Sequence, residues 1–300
     1  MVLFVLLPLW LLASSHIGLA QGRQEAGSRK LMHRPLLRHM LPAARLRNLV
    51  LVAGHAVYVG SNYAEARVQQ SWFLEEYQRV PGEVESFLDH IRIGVELASS
   101  DPLALLLFSG GQTRLAAGPR SEGLSYWVVA EAAGWFNHTE VRGRAFTEEH
   151  ARDSFENMLF GMCRFYELTG HYPQSVTIVS YTLKQQRFET LHRAALRYPL
   201  TKFRFIGTPI PPDATGASAG EAMTVASFKS HPYGCDGDLM LKRMRRDPFA
   251  VGPIHPSRCP DLRGLLGHCG DELFIGPLPW DHLHLHKSIV DRSGGQDIFS

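Results

Sequence analysis

The sequence lacks most of the signatures that would tie it to a familiar chemistry. Its 300 residues hold four cysteines and no C-x-x-C pair, which leaves a redox motif or a cysteine zinc site without support. Neither G-x-x-x-x-G-K-[ST] nor G-x-G-x-x-G occurs, so the common phosphate loops are missing. No G-x-S-x-G stands at a strand–helix junction, so the α/β-hydrolase elbow has no support. The net charge is only +2, and a net-basic stripe that would favour nucleic acid is absent. Beyond the N-terminus no apolar run approaches the ~20 residues of a membrane span. No internal repeat is visible.

What remains is an ordinary globular composition, 45% hydrophobic and 20% charged, behind an apolar leader. Val2 to Ala13 is uncharged and sized like a signal-peptide core, with Gly18-Leu19-Ala20 placing cleavage before Gln21. Nothing basic precedes the run, and Arg23, Arg29 and Lys30 follow it; that pattern equally suits an uncleaved anchor. Both readings put the chain in the secretory pathway, either lumenal or extracellular, or on a single-pass anchor. Residues 1–20 are therefore read as leader or anchor, and 21–47 as a basic connector. Residues 48–212 form the main domain, 213–281 a C-terminal extension packed on it, and 282–300 a loose tail.

Cys163 falls inside an apolar helical pattern and reads as a buried thiol. Cys235, Cys259 and Cys269 cluster later, where one disulfide with one thiol left over suits an oxidising compartment. Asn137-His138-Thr139 is a glycosylation sequon in an expected loop.

Strand and helix signals alternate from Asn48 onward. "NLVLVAG" reads as a buried strand, and "GEVESFLDHIRIGVELASS" as an amphipathic helix stopped by Asp101-Pro102. Leu103 to Phe108 reads as the second strand, followed by a helix capped by Ser121. "TEVRGRAF" is a weaker third strand, and a long helix is expected from Thr147 to Gly170. "SVTIVSY" and "KFRFIGTPIPP" complete five strands around a helix over "KQQRFETLHRAALRYP". "DATGASAGEA" reads as a small-residue loop. The alternation predicts a Rossmann-like three-layer α/β sandwich with a mainly parallel five-stranded sheet. Ligands of such sheets lie beyond the carboxyl ends of the strands. Gly54 and His55, Ser109 to Gln112, Ser180 to Thr182, and Thr208 are expected there.

Polar groups concentrate at those ends. Ser109, Gly110, Gly111, Gln112, Thr113 and Arg114 combine glycine freedom with neutral donors and a guanidinium, suited either to a tight turn or to an anion. "EEHARDSFENML" sets Glu149, Asp153 and Asn157 four apart near a helix start, with Glu156 between them. Those groups suit acid/base or cation-holding work; a solvated capped face is the plainer reading. Lys184 and Arg187 would sit in the first turn of a helix, where cations oppose the dipole and an anion would relieve them. His55 could serve Ser109 if the fold joins them. His282, His284 and His286 alternate in a stretch that reads as a flexible tail.

"LVAGH", "LFSGGQTR…SEGLSYW", "TEEHARDSFENMLF" with "RFYELTGHYP", and "SYTLKQQRFETLH" resemble, in this order, a large α/β family. Its bacterial members are the SanA-, ElyC- and YdcF-type envelope proteins. "PYGCDGDLMLKRMRRDPF" and "LPWD" resemble its eukaryotic, fungal-type branch. The resemblance runs from about Asn48 to Asp281 and implies a Rossmann-like sheet, often behind a membrane anchor. The bacterial proteins are linked to envelope integrity without an established reaction. Ser109, Gly110, Gly111 and Glu122 match the family's S-G-G…S-E segment; Asp153, Ser154, Glu156 and Asn157 match its N-T-x-E-N helix start. Lys184 stands where bacterial members usually carry histidine, with Arg187 as the following arginine, so the same chemistry does not transfer directly.

The expectation is thus a strand-end pocket for an anionic, phosphate-bearing small molecule of nucleotide or lipid type. Glu122, Asp153, Glu156 and Lys184 are the candidate catalytic groups. Gly54, His55, Ser109 to Arg114, Ser154, Asn157, Tyr181 and Arg187 are the candidate ligand contacts. No metal or cofactor is assigned. The contrasting expectation is a non-enzymatic lumenal or membrane-tethered binding protein.

Overall fold

The computed structural model describes residues 41–281. The expected leader, most of the basic connector and the histidine-rich tail lie outside the described residues. Five strands, β1 (Asn48–Ala53), β2 (Ala104–Ser109), β3 (Ala145–Glu148), β4 (Ser175–Tyr181) and β5 (Phe203–Thr208), form one all-parallel sheet. Its order is β3-β2-β1-β4-β5. The chain fills one side of the sheet from β1, then returns to fill the other from β4. The crevice between the ends of β1 and β4 is therefore the switch point at which doubly wound sheets bind ligands.

The strands are uninterrupted apolar runs because both faces are covered. Leu49, Leu51 and Ala53 of β1 pack on one side with α3 (Ser154–Thr169). Val50 and Val52 pack on the other with α1 (Glu83–Ser100) and α2 (Glu122–Ala132). Ser121 caps α2, its hydroxyl accepting from the Leu124 N–H. Gly170 ends α3 in the left-handed region at φ 75°, where glycine carries no Cβ penalty.

Several boundaries move. α3 starts at Ser154, not Thr147, because Asp153 takes the cap: its Oδ1 accepts from the Glu156 N–H at 2.9 Å. Thr147 and Glu148 instead end β3. The stretch 139–144 is a run of tight 3₁₀ turns, which leaves the strand only from Ala145. Between β4 and β5 the regular helix expected is replaced by a 3₁₀ turn, a π-helical turn at Arg187–His192 and a short α segment. π turns are rare and concentrate at functional sites. The small-residue stretch is not all loop, since α4 runs Ala217–Ser230 and is followed by α5 (Gly237–Arg245); alanine favours helix wherever the chain permits one.

The cysteine reading also changes. Cys163 is no free thiol but is joined to Cys259, and Cys235 is joined to Cys269. Both bonds tie in the segment beyond β5: one to the middle of α3, the other within the segment itself.

Candidate functional site

A cavity of about 380 Å³ opens at the carboxyl ends of the strands. Gly54 and His55 after β1, Tyr181 at the end of β4, and Lys184 and Arg187 just beyond it line one side. Glu122, Asp153, Ser154 and Asn157, from the starts of α2 and α3, line another. Fold topology thus gathers most of the expected residues across the switch point.

The loop of Ser109 to Arg114 stands behind this wall rather than in it. The Gly110 N–H donates to the Glu148 carbonyl at 3.0 Å and that of Gly111 to the Ala151 carbonyl at 2.7 Å. Those amides are therefore engaged within the protein. A Cβ on Gly111 would stand 2.8 Å from the Ala151 oxygen, and one on Gly110 would meet the Glu122 side chain; close backbone approach is what requires the glycine pair. The Ser109 hydroxyl donates to Glu148 at 2.6 Å and accepts from the Asn157 amide at 2.9 Å. His55 does not pair with it. Thr113 donates to Glu122 at 2.5 Å, and Arg114 lies 3.6 Å from the same carboxylate. These two side chains orient Glu122 toward the cavity, while Gln112 is half-buried in the loop.

Asp153 and Glu156 are held by cations from elsewhere in the chain. Arg243 of α5 donates to Asp153 at 2.6 Å and approaches Glu156 at 3.4 Å. Arg152 pairs with Glu156 at 2.6 Å, and Glu156 does not line the cavity. Burial opposes ionisation of Asp153, but Arg243 more than offsets it and holds the carboxyl below its ordinary value. Glu149, expected on the same helical face, precedes the helix and accepts instead from Ser121 and Thr147.

The opposite wall is cationic. Lys184, Arg187, Lys242 and Arg246 all line the cavity, and Glu221 pairs with Arg187 at 3.1 Å. The Arg187 Nε is buried without a hydrogen-bond partner. Burial first, and Arg187 second, pull the Lys184 ammonium down to about 7. Lys242 falls to about 8 through burial and the neighbouring Arg246. Lys184 also sits 5.5 Å from the Tyr181 ring centre and 3.5 Å from His55 Nδ1.

Sequence reasoning missed Glu221, Lys242 and Arg246, which come from α4 and from the end of α5. The run "KRMRR" was the only signal for the two cations, and it does not say which way they point; Glu221 stood in a stretch read as a small-residue loop. Gly216-Ala217-Ser218-Ala219-Gly220 does match G-x-S-x-G as a string. Ser218 is nevertheless exposed in the first turn of α4 and follows no strand directly, so it is no nucleophile elbow. Among the described residues no group of three or more His, Cys, Asp or Glu side chains is arranged to hold a metal ion, and no helix is long and apolar enough to cross a membrane.

The chain is similar to the uncharacterised protein YOR238W of Saccharomyces cerevisiae, at 23% identity over 253 residues, covering 67% of this chain and 84% of the yeast protein. No family model and no solved structure matches.

Proposed function

We propose that this α/β protein binds an anionic, phosphate-bearing small molecule in the switch-point cavity. The observation that carries the reading is the crowding of cations: Lys184, Arg187, Lys242 and Arg246 line the cavity together and depress one another. Of the lining acids, Glu221 pairs with Arg187, Asp153 is taken by Arg243, and Glu83 and Glu122 complete the set. Crowding buried cations is unfavourable unless an anion offsets them. A phosphate or similar oxyanion would accept from Lys184 and from the free Arg187 Nε. The fold favours the same place, since doubly wound sheets bind ligands at the switch point.

We place the chain in the secretory pathway, free in the lumen, exported or held by its N-terminal segment. Four cysteines in two disulfides support an oxidising compartment. The sequon asparagine, Asn137, is exposed in a turn between α2 and β3.

Sulfate is the cleanest probe, because its charge stays constant through neutral pH. It is expected to raise the melting temperature of the protein, and Lys184→Ala should weaken that binding roughly 10- to 100-fold, as loss of one hydrogen bond to a charged group implies. The pH dependence follows from the depressed lysine. Only the protonated amine attracts an anion, so binding weakens as pH rises through about 7, with the midpoint displaced upward by the sulfate itself. Lys184→Met should flatten that slope. Sulfate binding that is unchanged in both variants would overturn the anion reading.

A further inference from the structure

We propose that Ser180 and His55 are a nucleophile and its base, and that the cavity's substrates are phosphomonoesters. The inference rests on the anion-binding reading of the same cavity. Ser180 is the next-to-last residue of β4, and its hydroxyl lies 3.3 Å from His55 Nε2. The other ring nitrogen, Nδ1, is 2.5 Å from the Gly54 carbonyl. A carbonyl can only accept, and its contact is much shorter than the 3.5 Å approach of the Lys184 amine to the same nitrogen, so Nδ1 carries the hydrogen, and Nε2 presents its lone pair to the serine. Nucleophile, base and a third group that orients the base are thus in line; a main-chain carbonyl stands where many triads use a carboxylate. The ring is clamped, stacked on Tyr181 at 5.0 Å and set edge-on to His90 at 5.2 Å.

Two other buried histidines also meet hydroxyls, which shows what a purely structural pair looks like here. His90 Nε2 lies 2.6 Å from Thr208 and His192 Nε2 lies 2.7 Å from Ser154. In both, Nδ1 has no hydrogen-bond partner, and neither ring lines the cavity. Ser180 and His55 both line it. A mere tie between β1 and β4 is also unnecessary, since those strands are joined in register from Asn48↔Ser175 to Val52↔Val179.

Lys184 couples the pair to the anion. Burial, and then Lys184, hold the His55 imidazole neutral and ready to accept a proton. A bound phosphate offsets the ammonium and so favours the imidazolium that the reaction forms. Ser180 Oγ attacks phosphorus as His55 Nε2 takes the hydroxyl proton; the P–O bond to the leaving alcohol breaks, and the alkoxide receives that proton. Water then attacks the phosphoserine, His55 takes one of its protons and returns it to Ser180, and inorganic phosphate departs.

The test uses an alkyl fluorophosphonate, an uncharged phosphorus electrophile. Labelling forms the Ser180 Oγ–P bond, breaks P–F and releases fluoride while His55 takes the proton. Peptide mapping of the full chain is expected to place the adduct on Ser180, with none in Ser180→Ala. His55→Gln should slow it roughly 100-fold, the size of a typical general-base contribution. Sulfate-induced stabilisation in the same samples reports folding and the anion site independently. No adduct at Ser180 in the wild-type chain, with sulfate stabilisation intact, overturns the pair. So does labelling that a folded His55→Gln variant leaves unchanged. An adduct at Ser180 with no response to sulfate supports the pair and overturns the anion reading. Acid quenching during incubation with p-nitrophenyl phosphate is expected to trap phosphoserine at position 180. Its absence in a chain whose Ser180 labels overturns the phosphomonoester class.

Discussion

Arg243→Ala is expected to lower the unfolding free energy by about 3–5 kcal/mol, the usual result of removing one partner from a buried ion pair. The melting temperature would fall by roughly 10 °C in a chain of this size. Arg243 is the cation in direct ion pair with Asp153, and Asp153 is both buried and the N-cap of α3. Glu156 keeps Arg152, so most of the loss falls on Asp153. The pH dependence has a definite sign. In the wild-type chain Asp153 titrates below its ordinary value of 3.8, so its stabilisation is present above that value and is lost only as pH falls through the lower, folded one. Without Arg243, burial raises the same carboxyl, which then protonates on folding. The difference between the two proteins should therefore narrow as pH falls toward about 4. Equilibrium urea unfolding at several pH values measures it, and a pH-independent difference would argue against the Asp153 origin. Asp153→Asn in the Arg243→Ala background should recover part of the loss, because no buried charge then stands alone.

Loss of the Cys163–Cys259 bond should have an effect of similar size. The bond closes a loop of 96 residues, and the chain-entropy relation gives about 4.7 kcal/mol for such a loop, against about 3.8 for the 34-residue separation of Cys235–Cys269. Both sulfurs of the longer link lie in the core under the sheet. Paired Cys163→Ala and Cys259→Ala substitutions, compared by denaturant unfolding without reductant, should show this ordering. Thiol titration of the denatured, unreduced chain is expected to find no free cysteine; a positive titration would exclude the pairings.

The sheet was legible because a doubly covered parallel strand has to be apolar throughout, and "NLVLVA" and "ALLLF" admit little else. The caps at Ser121 and Gly170 were legible because each meets a local demand of its helix end. Asp153 shows the limit. Its cap competes with Thr147 over a few residues, but Thr147 is taken by the sheet, in register with Phe108, and Asp153 is held by Arg243, about ninety positions later. The glycines of "FSGGQTR" were recognisable as necessary, but not the reason, which lies in the neighbouring Ala151 carbonyl and Glu122 side chain. Ser180 was marked only by its place at a strand end, with nothing to set it apart from its neighbours. A serine in an apolar strand looks like any other until the fold brings His55 within 3.3 Å.

The origin of the cationic wall has a consequence for how the protein comes into being. Lys242, Arg246 and Glu221 are translated after the whole sheet, and Cys259, which fixes that segment beneath α3, comes later still. A chain that ends at β5 has only part of the lining, with Lys184, Arg187 and Arg152 as its lysine and arginines. The cavity has its full lining only when the last quarter of the chain has folded back over the strand ends, where the Cys163–Cys259 bond holds it.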